Sequence, residues 1–297
     1  MVVRNWFLIA TLVTVISTSA FADEDPALPA GWTDGYVIAN GIRIHYWRSS
    51  KSGDKPALVM THGSSDDGRC WTNLAKELQG DFDIILPDAR GHGLSDPPAA
   101  SDSADVQAED IAGLIKELKL TKPIVMGHSM GASAAAWFAA KHPDVPRAVV
   151  LEDPGLIPRS GAPAGAAGRS MEERRAQILA RNNMAFDEIV ALCMKNSPRW
   201  GLSECRYWAP SKRLHHPNNA LRSLGDRPPM SELFTKITVP TLILKAGAEP
   251  AVRKQNEEIA SKLKKGKIVH IDGAGHNVRR EEKQRLLDAL RPFLASL

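Results

Sequence analysis

Cysteine is scarce in this chain of 297 residues: there are three, Cys70, Cys193 and Cys205. No two are spaced C-x-x-C, which excludes the zinc and thioredoxin-type motifs built on such pairs. Nor is there a basic stripe interleaved with aromatics. The 38 Lys and Arg against 34 Asp and Glu, a formal charge of +4, are scattered as on a solvated surface, so nucleic-acid binding has no support. No internal repeat recurs. Beyond the N-terminus no apolar run approaches the roughly 20 residues that a membrane helix needs. What is present is a 43% hydrophobic, 24% charged chain, long enough to bury a large core without metals or disulfides.

The first 22 residues stand apart. Arg4 gives a short positive start, Trp6 to Ile16 is an apolar run of eleven residues, and Ser17 to Ala22 is a stretch of mostly small residues ending Ala-Phe-Ala. That is the pattern of a secretory signal peptide cut after Ala22, and it predicts a periplasmic or secreted protein with no stable membrane association after cleavage. Cleavage would remove Arg4 and no acid, taking the formal charge from +4 to +3. Export permits a disulfide. Cys193 and Cys205, twelve residues apart, are the expected pair, with Cys70 left as a small buried hydrophobe.

Residues 23–34 look like a loose leader. Gly41 to Trp47 then alternates as an early antiparallel strand should. Continuous apolar runs follow at Ala57–Met60, Phe82–Leu86, Pro123–Met126, Ala148–Leu151, Thr241–Leu244 and Ile268–Ile271. Runs of this kind fit strands buried on both faces, as in a parallel sheet. Helical patterns such as Val106–Leu118 and Ser133–Lys141 lie between them, and the alternation predicts a doubly wound α/β fold. Residues 155–236 break the rhythm with Pro, Gly, Arg and helix formers. They read as a helical cap inserted into a core of residues 23–154 and 237–297. Gly161 to Gly168 is a flexible stretch leading into the cap.

The chemistry lies in the turns. Gly127-His128-Ser129-Met130-Gly131 matches G-x-S-x-G, after a predicted strand and before a predicted helix, the context of a nucleophile elbow. A serine hydroxyl needs a base, and Gly273-Ala274-Gly275-His276 supplies one after the last strand. His62-Gly63-Ser64 follows an earlier strand. The Ser64 amide and that of Met130, next to the nucleophile, are the expected oxyanion donors.

HGSS, DARGHGLSD (Asp88–Asp96), GHSMG and GAGH, in this order and spacing, resemble the α/β-hydrolase superfamily over residues 33–154 and 237–297. The resemblance implies a mostly parallel eight-stranded sheet with helices on both faces, and it places Asp88 and Arg90 in a structural turn beneath the site. The acid of the triad departs from the common pattern. Most members carry it three residues after the glycine at Gly247, where this chain has Pro250, with Glu249 one short. The haloalkane dehalogenases place theirs 24 residues after the nucleophile, and Asp153 is 24 residues after Ser129. On strand alternation Asp153 shares a face with Val149 and Leu151. Asp153 is therefore the expected acid and Glu249 the alternative.

Dehalogenases and epoxide hydrolases use an Asp nucleophile, whereas Ser129 would form an acyl-enzyme. The expected activity is hydrolysis of a small or medium, fairly apolar carboxylic ester or lactone, with no cofactor or metal. Trp200, Tyr207 and Trp208 could line the pocket roof or form the core of the cap. His215-His216 reads as a surface pair rather than a metal site. Two alternative readings of the motifs are a ligand receptor on the same fold and a carbon–carbon bond hydrolase. The latter commonly carries Trp after the base, where Asn277 stands.

Overall fold

In the computed structural model, residues 26–49, 54–157, 169–221 and 225–297 are described. The signal-peptide segment and the Gly161–Gly168 stretch lie outside them. Eight strands form one sheet: β1 Thr33–Ala39, β2 Ile42–Arg48, β3 Ala57–Thr61, β4 Asp83–Pro87, β5 Ile124–His128, β6 Ala148–Glu152, β7 Thr241–Ala246 and β8 Gly266–Ile271. Their order is β1-β2-β4-β3-β5-β6-β7-β8, antiparallel at β1-β2 and β2-β4 and parallel elsewhere.

The apolar runs are strands because both faces of the sheet are covered. Every residue of β3, β4, β5 and β6 is buried. Alternate side chains serve opposite faces. Val59, Ile85, Val125, Val149 and Ile243 enter one core with the helices α2 Val106–Glu117 and α3 Met130–Lys141. Leu58, Ile84, Met126, Val150 and Leu242 enter the other with α1 Thr72–Leu78 and the C-terminal helix, Lys283–Ala295. Burying each such side chain contributes about 2 kcal/mol.

The chain winds outward on opposite sides of β3, so the order reverses between β3 and β5. Ligands of open α/β sheets bind in the crevice at such a reversal, beyond the carboxyl ends of the strands. The loops after β3 and β5 carry Ser64 and Ser129.

Between β6 and β7 come α4 Met171–Asn182, α5 Phe186–Asn196, α6 Gly201–Arg213 and α7 Met230–Lys236. The helices α5 and α6 share a small core of Phe186, Ile189 and Ala209, and the Cys193–Cys205 disulfide joins them. Cys70 is free and buried, and burial pushes its thiol up to about 12. Two boundaries differ from the sequence reading. The stretch given to the cap as far as residue 236 ends in α7, whose Met230, Leu233 and Phe234 pack with Ala135 and Phe138 of α3 in the main core. The leader read as far as residue 34 overlaps β1, an edge strand with Tyr36 and Ile38 exposed. The remaining helices are α8 Pro250–Ala260, α9 Val278–Glu281 and the C-terminal α10. Among the described residues no helix is long and apolar enough to cross a membrane.

Candidate active site

Ser129 sits between β5 and α3 at φ 51°, ψ −107°, a backbone conformation unusual for a residue with a side chain. The flanking glycines make this turn possible by contact, not by flexibility. A Cβ on Gly131 would lie 2.3 Å from the Thr61 carbonyl oxygen, and one on Gly127 would lie 2.3 Å from that of Gly131. Either atom would push helix and strand apart. The Ser129 amide donates to the Glu152 carbonyl at 3.0 Å, which ties the turn to the end of β6.

His276 and Asp153 meet Ser129 from two other loops. His276 Nε2 lies 2.9 Å from Ser129 Oγ, and Nδ1 lies 2.6 Å from Asp153 Oδ2. The His276 side chain is 54% exposed, so its ring is accessible to water, whereas that of Asp153 is only 9% exposed. Asp153 comes just after β6 with φ 41°, so this turn aims its carboxylate, rather than the strand alternation assumed from sequence. Burial pushes its carboxyl up. The His276 hydrogen bond, the charge and hydrogen bond of Lys245 and the Ala246 amide outweigh that and hold it at about 2. Lys245 Nζ lies 2.5 Å from Asp153 Oδ1, and the Ala246 N–H donates to the same oxygen at 3.1 Å. Glu249, the other candidate acid, is exposed at the start of α8 and makes no side-chain capping bond.

Sequence reading missed Lys245, which the end of β7 brings against Asp153. It also passed over His128 inside the elbow. That ring is buried, its Nε2 lies 3.0 Å from the His276 carbonyl oxygen, and its Nδ1 has no partner. Burial, then the charge of Arg279, holds it well below the ordinary histidine range. A neutral ring whose Nε2–H donates to that carbonyl braces the histidine loop.

Ser64 and Met130 line one cavity with Ser129, of about 500 Å³. Neither amide donates to any described residue. The lining is mixed: Arg90, His92, His215, Asn219 and Arg227 stand beside Pro98, Ala104, Val106 and Leu221. His215 stacks on His92 at 4.8 Å and is not a surface histidine. Its neighbour His216 accepts from the Asn218 amide.

The three cap aromatics do not line this cavity. Tyr207 is buried, with its hydroxyl 3.2 Å from Lys76 Nζ on α1. Trp200 lies under the Arg280 guanidinium, Trp208 lies under Lys212 Nζ, and the two indoles meet edge to face. Cations and cap packing claim these rings.

Asp88 and Arg90 do take up a structural turn, each with its own partners. Asp88 is buried and accepts from the Gly68 and Leu94 amides, with its Oδ2 2.8 Å from His45 Nδ1. Arg90 pairs with Asp102 at 2.7 Å and Asp110 at 2.6 Å. No cluster of three or more metal-binding side chains occurs among the described residues.

Residues 58–289 match the model of the alpha/beta hydrolase family. The chain belongs to that family and is a hydrolase. It is 25% identical to "Epoxide hydrolase 1" of Caenorhabditis elegans, over 91% of this chain and 72% of the relative. It is 25% identical to "Bifunctional esterase/perhydrolase DCH" of Acinetobacter calcoaceticus, over 88% of this chain and all of the relative. The fold matches the crystal structure of an esterase from Rhodococcus sp. ECU1013 with TM-score 0.68 and 22% identity, covering 90% of this chain and 99% of that one. The relatives are named for different reactions, so the reaction has to be argued from the site.

Proposed function

We propose that this protein is a serine-dependent hydrolase of a carboxylic ester or lactone, working through an acyl-enzyme. The observation that carries the reading is the unbroken chain of hydrogen bonds from Ser129 Oγ through His276 to Asp153, at 2.9 and 2.6 Å. His276 Nε2 takes the Ser129 proton as Oγ attacks the substrate carbonyl. The Ser64 and Met130 amides stabilise the oxyanion, each worth about 3 kcal/mol in the transition state. The intermediate collapses as the imidazolium gives its proton to the leaving alkoxide. His276 then deprotonates a water, which cleaves the acyl-serine ester and frees the acid. Asp153 keeps the proton of His276 on Nδ1 and stabilises the imidazolium. It acts as a carboxylate throughout, since its carboxyl is held at about 2.

Export to the periplasm or medium belongs to the same reading. The Cys193–Cys205 disulfide supports it, because such bonds persist in oxidising compartments. The experiment is turnover of a p-nitrophenyl ester together with labelling by a fluorophosphonate probe. Both should be present in the native chain and absent in a folded Ser129→Ala variant. Labelling that persists in Ser129→Ala would refute the assignment. A native chain that binds esters without turning them over would be a receptor.

A further inference from the structure

Next to the Ser129 cavity lies a second hollow of about 240 Å³, walled almost wholly by cap residues. The two share His215 and Asn219 as a common wall. The charged side chains of the second hollow are Arg169, Arg174 and Arg181, with no carboxylate among its lining residues.

Two of the acids around the cavities are already engaged. Asp102, the one carboxylate lining the Ser129 cavity, is paired with Arg90 at 2.7 Å. Glu173 accepts from the Ser170 amide in the capping box of α4. Arg174 is half-buried, yet its guanidinium donates only to carbonyls, to Arg169 O at 2.7 Å and to Ala220 O at 3.0 and 3.3 Å. The Arg181 guanidinium makes no hydrogen bond or ion pair with any described residue, and neither does that of Arg227 on the lining of the first cavity.

The field is felt at the shared wall. His215 is depressed to about 4, by burial first and then by the charges of Lys212, His62 and Arg181 among others. Arg174 is half-buried while Arg169 and Arg181 are exposed, so the hollow is open to solvent. Guanidinium groups lining such a concave space with no carboxylate among them are a recognition device for carboxylates, whose geometry they match in bidentate fashion.

We infer that this hollow is an anion subsite, and that the substrate is an ester or lactone carrying a free carboxylate, which Arg174 and Arg181 hold while the scissile carbonyl lies at Ser129. The inference rests on the serine-ester reading above and narrows its substrate class. It also gives the cap a purpose in selection: the helix α4 buries none of its own residues and offers its arginines to the hollow instead.

The test is a set of p-nitrophenyl monoesters of glutaric, adipic and suberic acid, set against p-nitrophenyl esters of the monocarboxylic acids of equal chain length. For at least one length the native enzyme should show a kcat/KM about tenfold higher for the acid monoester, the scale of a charge-assisted contact. Adding about 0.5 M NaCl should shrink that ratio, since the site is open to screening. Arg181→Gln should bring the ratio towards one, with Arg181→Lys retaining part of it. A native ratio of one or below at all three lengths overturns the inference, as does a ratio unchanged in Arg181→Gln. So does an enzyme that the fluorophosphonate labels but that turns over none of the six esters. Absence of both labelling and turnover would instead remove the serine-ester reading, and this inference with it.

Discussion

Replacing Asp153 by Asn tests the site most sharply, because the hydrogen-bond pattern decides which way the amide must face. Asp153 Oδ1 accepts from two donors, Lys245 Nζ at 2.5 Å and the Ala246 amide at 3.1 Å. An Asn at this position keeps its oxygen there, since an NH₂ group against two donors would leave all three unsatisfied. The NH₂ then faces His276 Nδ1, where the carboxylate oxygen now lies at 2.6 Å. Nδ1 becomes an acceptor and the ring proton moves to Nε2, the atom that faces Ser129 Oγ. A protonated Nε2 cannot take the serine proton. The corresponding change in serine proteases costs about 10⁴ in kcat, and the same order is expected here. Glu249→Gln, at an exposed position with no side-chain capping bond, should change kcat by less than about tenfold. The assay is steady-state p-nitrophenyl ester hydrolysis, with both variants shown to melt near the native chain. A crippled Glu249→Gln alongside an active Asp153→Asn would refute the argument.

Lys245→Met addresses the electrostatics of the same carboxylate. Its folded value of about 2, against the ordinary 3.8, stabilises the protein by about 2.5 kcal/mol above the ordinary value, and that increment is lost as pH falls from about 5 towards 2. With Lys245 gone the carboxyl rises and the acid-dependent loss shrinks. Urea denaturation across this range should therefore show a shallower pH dependence than the native chain, and an identical dependence would reject the role given to Lys245. Reducing the Cys193–Cys205 bond, which closes a short loop with a separation of twelve residues, should destabilise the cap by about 3 kcal/mol. The readout is the melting of Cys193→Ser against native chain with and without reductant, and peptides carrying both thiols free would reject the bond.

The sheet was legible because strands covered on both faces write continuous apolar runs, as β3 to β7 do, and the outer strand β8 writes one too although only Ile271 of it is buried; all six read correctly to within two residues. The edge strand β1 was not, because an edge strand can expose Tyr36 and Ile38 and carries no such run. The helix α7 was given to the cap because nothing local distinguishes a seven-residue helix that packs on α3 from one that packs elsewhere. At the site, Ser129 stood out through glycines forced by close approach, His276 through a glycine turn in which Gly273 has φ 83°, and Asp153 through its spacing. The reason first given for its orientation was wrong, because a turn with φ 41° replaces strand alternation there. Lys245 and His215 carry no local pattern. Each becomes visible only when a distant loop is folded against it, and the same is true of the cations that claim Trp200, Tyr207 and Trp208.

Ser64, Asp153 and His276 lie on three separate loops, and buried charge links those loops. Asp66, just past the Ser64 loop, meets Arg280 at 2.9 Å, Lys212 of the cap at 3.3 Å and Arg279 at 3.6 Å. Glu152, at the end of β6, accepts from the Arg279 amide at 2.8 Å and from its guanidinium at 3.0 Å. Glu204 of α6 faces Arg280 at 3.5 Å, so three acids balance three bases. Burial pushes the Asp66 carboxyl up, but the charges of Arg280, Lys212 and Arg279 hold it well below the ordinary range. Replacing such a cluster by apolar side chains of equal volume is often neutral or stabilising, whereas deleting one member costs about 3–5 kcal/mol because its partner is left charged and buried. Stability alone therefore does not account for it. The bonds are directional: they run from the Ser64 loop to the His276 loop, to the end of β6 beside Asp153, and to the cap. An apolar plug would fill the same space while letting those loops slide. A displacement of about 1 Å at reacting groups can cost 10²-fold in rate, and a hydrolase whose proposed triad comes from three loops has reason to bury ions where packing alone would suffice for folding.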